Sequence, residues 1–204
     1  MTIMELLIAW IMVALMAIAP PATIDGRPQS PQDATPRYRA VAEAIVRVAY
    51  DTSESPSGLG PFARFEEAAL LTAIVGTESG MHPDVLAGKK RGDGGRSWCV
   101  VQMNIGKGKT VEGWTGPELA ADIDKCLKAG LHAARRSIGA CRNLSRTSQL
   151  SGYTRGSCVE GDVASIKKQN VKFLVMGKGW KLKVPADTIV DKSLHPPSEL
   201  AQKE

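Results

Sequence analysis

Apolar positions recur at helical spacing through most of the chain. Tyr38, Val41, Ala42, Ile45, Val46 and Ala49 fall three and four apart, which predicts a helix over 37–51. The polar run 52–60 interrupts it. Phe62, Phe65, Ala69, Leu70, Ala73 and Ile74 predict a second helix. It starts near Pro61, since proline suits a first turn, and Gly80 and Pro83 stop it. Residues 88–96 read as a basic, Gly-rich loop and 98–105 as a short extended piece. Leu119, Ile123, Cys126, Leu127, Leu131, Ala134 and Ile138 predict helix from about 116 to 141, as one helix or two. A Gly/Ser/Thr loop follows over 143–157, and a last helix over 162–176. The expected fold class is mainly α, with a small extended or β insert between helices. The core spans 37–176, enough for one domain. Residues 177–204, rich in Gly, Pro and Lys, read as a flexible basic tail.

The front of the chain has a different pattern. Leu6–Ala19 is an unbroken apolar run of 14 residues. A membrane span needs roughly 20, whereas the apolar core of an export signal runs roughly 7–15. Residues 1–19 therefore read as a signal or membrane-anchor segment. The five residues before the run hold no Lys or Arg and one acid, Glu5. Pro20 follows the small-residue pattern Ala17-Ile18-Ala19 and hinders cleavage, so an uncleaved tether through residues 6–19 is the alternative. A buried N-terminal helix of a cytosolic fold is the remaining reading. Residues 20–36 carry five prolines among polar residues and read as a linker.

Composition narrows the picture only a little. With 43% hydrophobic and 23% charged residues the chain folds as a globule. A net charge of +5 suits a polyanionic partner without choosing one. Four cysteines, Cys99, Cys126, Cys141 and Cys158, are an even set and fit two disulfides in an exported chain. Three pairings are possible, and the sequential one closes the shortest loops. No CxxC spacing points to a metal site.

Glu78 is the first candidate for chemistry. It lies in the last turn of an apolar helix, between Gly76 and Gly80. A carboxyl on apolar surface is easier to protonate and able to deliver a proton near neutral pH. The plain alternative is a solvated glutamate at a helix end. Asp84, Asp93 and Glu112 are candidates for a second carboxylate, with Asp93 favoured because its Gly-rich loop can fold over a cleft. Trp98 and Trp114 can stack on sugar rings or sit in the core. His82 reads as a loop residue and His132 as a helix-face residue. Lys89, Lys90, Arg91 and Arg96 form a cationic loop, which Lys178, Lys181, Lys183 and Lys192 extend in the tail. Gly108-Lys109-Thr110 lacks the glycine that a phosphate-binding loop has where Met103 stands.

Three segments taken together resemble the lysozyme-like lytic transglycosylase domain of the soluble-transglycosylase type. Glu78-Ser79 resembles the helix-ending Glu-Ser of that family. Ser97-Trp98-Cys99-Val100-Val101-Gln102 resembles its S-x-G-L-M-Q segment. Leu150-Ser151-Gly152-Tyr153-Thr154-Arg155-Gly156 keeps the Tyr and Gly of A-Y-N-x-G and lacks the Asn. The likeness covers about 65–160.

The resemblance implies a lysozyme-like α+β fold and cleavage of the β-1,4 bond between N-acetylmuramic acid and N-acetylglucosamine in peptidoglycan glycan strands. Glu78 matches the acid/base, Ser79 the muramyl-positioning residue, Gln102 (with Asn104 beside it) the cleft wall, and Tyr153 the support of Glu78. No cofactor is implied, and the protein is expected to be exported: periplasmic, membrane-anchored or extracellular. A single carboxyl suffices when the substrate's own 6-hydroxyl closes on C1 and leaves an anhydro product. A muramidase-type hydrolase needs a partner carboxylate at about 5–5.5 or 6.5–9.5 Å. A non-catalytic wall-binding or partner-binding module is a second class, which the missing Asn permits. A nucleic-acid binder is a third; the cysteines and the export-like start argue against it.

Overall fold

A computed structural model describes residues 2–21, 23–24, 27–56 and 62–177. The protein is mainly helical, with two small antiparallel strand pairs. The long helices are α1 (Ile3–Ile18), α2 (Pro31–Ala49), α3 (Ala63–Ser79), α6 (Ile123–Ala140) and α8 (Val163–Val175). Shorter ones are α4 (Pro83–Leu86), α5 (Gly116–Ala121) and α7 (Ser151–Arg155). The strand pairs are β1 (Thr23–Ile24) with β2 (Arg27–Pro28), and β3 (Ser97–Trp98) with β4 (Met103–Asn104). In the second pair Ser97 faces Asn104 and Trp98 faces Met103. This hairpin starts one residue before the stretch 98–105 that reads as extended and otherwise lies within it.

Helix α1 is packed into the domain. Thr2 and Glu5 form a capping box, in which the Thr2 amide donates to Glu5 at 2.6 Å and the Glu5 amide to Thr2 Oγ1 at 3.2 Å. The acid that departs from an export-signal pattern thus has a local role as a helix cap. Ile11, Ala14 and Leu15 are fully buried. The Tyr38 hydroxyl of α2 donates to the Ala19 carbonyl at 2.5 Å, and the Trp10 and Phe65 rings lie 4.9 Å apart. Gly76 is the close-approach point of α1 and α3, since a Cβ there would sit 2.7 Å from Ile18 Cγ2. Among the described residues no helix is long and apolar enough to cross a membrane.

Helix α2 begins at Pro31, so the linker expected over 20–36 is shorter. Ser30 caps it, accepting from the Asp33 amide at 3.1 Å, and Pro31 occupies the first turn. Pro36 lies within the helix, beside the exposed Gln32, whose carbonyl loses its usual helix donor to the imino ring. The region predicted over 116–141 is two helices. Asp122 ends α5 and caps α6 by accepting from the amides of Asp124 and Lys125. The expected loop 143–157 contains the short helix α7. The core joins Tyr38, Ile45, Leu71, Ile74, Leu127, Leu131 and Leu150. The predicted start near Pro61 and the tail from 178 lie outside the described residues.

Candidate functional site

The cysteines pair sequentially, as Cys99–Cys126 and Cys141–Cys158. The first ties the hairpin turn to α6. The second closes the segment that contains α7. Gly152 lets α7 approach α6, because a Cβ there would lie 2.9 Å from Ser137 Oγ and 3.4 Å from Cys141 Sγ.

Glu78 stands in the last turn of α3, which stops at Gly80 in the left-handed region with φ +54°. Met81 follows with φ +55° and is buried. Ser79 holds this sharp exit together. Its hydroxyl donates to the Val75 carbonyl at 2.8 Å and accepts from the Met81 amide at 3.0 Å. With 6% exposure, Ser79 faces the interior of the turn, so it shapes the backbone beside Glu78.

Glu78 has a neighbour that sequence reasoning missed. Lys168 of α8 places Nζ 2.7 Å from Glu78 Oε1, with side-chain exposures of 5% and 26% respectively. The signal for Lys168 lies in the stripe Ser165, Lys168, Gln169, Lys172 and Val175, the inner face of α8. Lysines stand there at apolar spacing.

Tyr153 joins the remaining parts. Its hydroxyl donates to the Val101 carbonyl at 2.5 Å, and its amide donates to Ser137 Oγ at 3.0 Å. Burial pushes the phenol well above its usual range, and the charge of nearby Glu78 adds to this. The end of α3, the turn after β3, α7 and α8 therefore meet around one half-buried carboxylate.

Gln102, Asn104 and Asp93 brace the hairpin. Gln102, at φ +50°, accepts from the Gly92 amide at 3.0 Å and donates to the Cys99 carbonyl at 2.9 Å. Asp93 Oδ2 accepts from Ser97 Oγ at 2.5 Å and from Asn104 Nδ2 at 3.2 Å. Asp93 is exposed and held to its own hairpin.

The other candidates have structural partners. Trp98 donates to the Gly106 carbonyl at 3.1 Å, and a Cβ at Gly116 would reach its indole at 2.1 Å. The Arg91 guanidinium lies over the same ring at 4.3 Å. Trp98 is thus a packing residue. Trp114 is half-buried against the core. The His82 ring accepts from the Asp84 amide at 3.2 Å and caps α4.

Glu112, offered above as a second carboxylate, is bound to His132 Nδ1 at 2.9 Å and to Arg136 at 3.4 Å. His132 Nε2 meets Glu54 at 2.8 Å. Burial pushes Glu54 and Glu112 upward. The His132 bonds, together with Arg135 at Glu54 and with a backbone amide, Thr110 and Arg136 at Glu112, outweigh it and hold both below the usual carboxylate range. Lys89, Lys90, Arg91 and Arg96 are exposed; Lys178, Lys181, Lys183 and Lys192 lie outside the described residues. Among the described residues no group of three or more His, Cys, Asp or Glu is placed to hold a metal ion.

Comparison of the chain with known families, curated proteins and solved structures finds no significant match.

Proposed function

We propose that this protein is an exported peptidoglycan-cleaving glycosidase on a lysozyme-like fold, a lytic transglycosylase with Glu78 as its sole acid/base. The observation that carries the proposal is the meeting of three segments far apart in sequence. Glu78 of the first lies close enough to Tyr153 of the third for its charge to reach the phenol, and the Tyr153 hydroxyl is bonded to Val101 of the second. The two disulfides suit an oxidising compartment.

In this reading Glu78 protonates the glycosidic oxygen and the bond to C1 of the muramyl sugar breaks. The muramyl 6-hydroxyl closes on C1 and its proton returns to Glu78. One carboxyl gives and recovers one proton, so no second carboxylate is needed. Ser79 and Gly80 shape the backbone under Glu78. Tyr153 of α7 is bonded to the Val101 carbonyl, and Gln102 and Asn104 stiffen the hairpin. The exposed cations of residues 89–96 draw in the anionic polymer.

The test is digestion of purified peptidoglycan by the full oxidised chain and by Glu78→Gln, with mass spectrometry of the products. The full chain is required because α1 contributes to the core. Anhydro-muropeptides from the wild type alone are expected. Reducing-end muropeptides would replace the transglycosylase with a hydrolase and make Asp93 the next residue to substitute. Absence of product with intact disulfides would refute catalysis and favour a wall-binding module.

A further inference from the structure

The Glu78–Lys168 pair divides the two oxygens of the carboxylate. Oε1 lies against the ammonium at 2.7 Å, and the ammonium belongs to the far more buried side chain. The contact is therefore on the inner side, and the exposed part of Glu78 is the remainder. We infer that Lys168 is the positioning residue of this site: it pins Oε1 inward and leaves Oε2 to carry and recover the proton. This rests on the glycosidase reading of Glu78.

The other anion near Lys168 is already engaged. Asp162 Oδ2 accepts from Thr154 Oγ1 at 2.6 Å and from the Ser165 amide at 2.8 Å. Its Oδ1 is 3.0 Å from Arg155 Nε. The charge of Lys168 still reaches Asp162, but the ion-pair partner of Lys168 is Glu78. Burying an ammonium costs free energy, and pairing it with a carboxylate seldom yields net stability. What the pair supplies is orientation. Glu78 sits in the last helical turn, one residue before the left-handed pair Gly80 and Met81, where a glutamate without a partner would sample several rotamers.

The pair also acts on the reaction. As the Glu78 proton moves to the glycosidic oxygen, negative charge develops on the carboxylate. An ammonium already in place meets that charge without reorganisation. When the 6-hydroxyl proton returns, Glu78 is neutral again and its charge attraction to the Lys168 ammonium is released.

The experiment uses the full oxidised chain on solubilised glycan strands of peptidoglycan, with kcat and KM measured for wild type, Lys168→Met, Lys168→Arg and Glu78→Gln. Melting temperature is followed in parallel. Lys168→Met is expected to lose about a hundredfold in kcat, the scale set by a catalytic group displaced by about 1 Å. Its KM stays within about twofold, and Lys168→Arg recovers part of the loss. Wild-type kcat in Lys168→Met, or a loss in KM alone, overturns the inference while Glu78→Gln remains inactive. Turnover by Glu78→Gln, or none by the wild type, overturns the glycosidase reading and this inference with it. If Lys168→Met does not fold, Lys168→Gln is read by the same criteria.

Discussion

The docking of α1 on α3 makes a prediction whose sign depends on a single contact. Gly76 lies inside α3, at an ordinary helical φ. On propensity alone, Gly76→Ala should stabilise the protein by about 1 kcal/mol. In the folded protein the new methyl would lie 2.7 Å from Ile18 Cγ2 and 3.1 Å from Ile18 Cβ. Neither atom is the far end of a flexible chain, so α1 itself must shift. Overpacking of this kind costs about 1–3 kcal/mol, which cancels or exceeds the helical gain. In an Ile18→Ala background the 2.7 Å contact is removed. The contact to Cβ is relieved by a small shift of the helix. Gly76→Ala should therefore be less favourable with Ile18 in place than in the Ile18→Ala background, by about 1–3 kcal/mol. The assay is a double-mutant cycle by urea unfolding of the full oxidised chain. On the melting temperature the coupling corresponds to about 2–4 °C per kcal/mol for a chain of this size. Additivity within about 0.5 kcal/mol would refute the docking of α1 on α3.

Reducing both disulfides is expected to cost about 3 kcal/mol for each loop, read as a drop in urea midpoint with and without reductant; an unchanged midpoint would contradict their structural role. Tyr153→Phe removes the donor to the buried Val101 carbonyl and should destabilise by about 1–3 kcal/mol. Equal unfolding midpoints for the two proteins would show that the bond contributes nothing. Stability should also fall in acid. Lys128, then Ser53, holds Asp51 far below the usual range, and Glu54, Glu112 and Asp162 are held below it by their own partners. Each binds fewer protons folded than unfolded. Its contribution is full above the ordinary carboxylate range and is lost as pH falls through its lower folded value. Urea midpoints at about pH 6 and about pH 3 check this, and equal values would refute it.

Legible in the chain alone were the helical class, the stripes of α2, α3 and α6, a last helix at α8, the extended character of the hairpin and the place of Glu78 at a helix end. These are readable because burial of one helix face imposes a spacing on apolar residues within a single segment. The tertiary structure decided what no single segment contains. Leu6–Ala19 has an apolar run that fits either an export signal or a core helix, and only the surfaces of α2 and α3 assign it to the core. The same holds for Lys168, Ser79 and Asp93. Their side chains look solvated, substrate-facing or catalytic from the chain alone. Their partners are Glu78 across the α3–α8 contact for Lys168, the Val75 carbonyl and Met81 amide for Ser79, and Ser97 and Asn104 for Asp93. Polar side chains take their roles from the partners that folding brings within about 3 Å, and sequence spacing constrains those partners only inside one helix or turn.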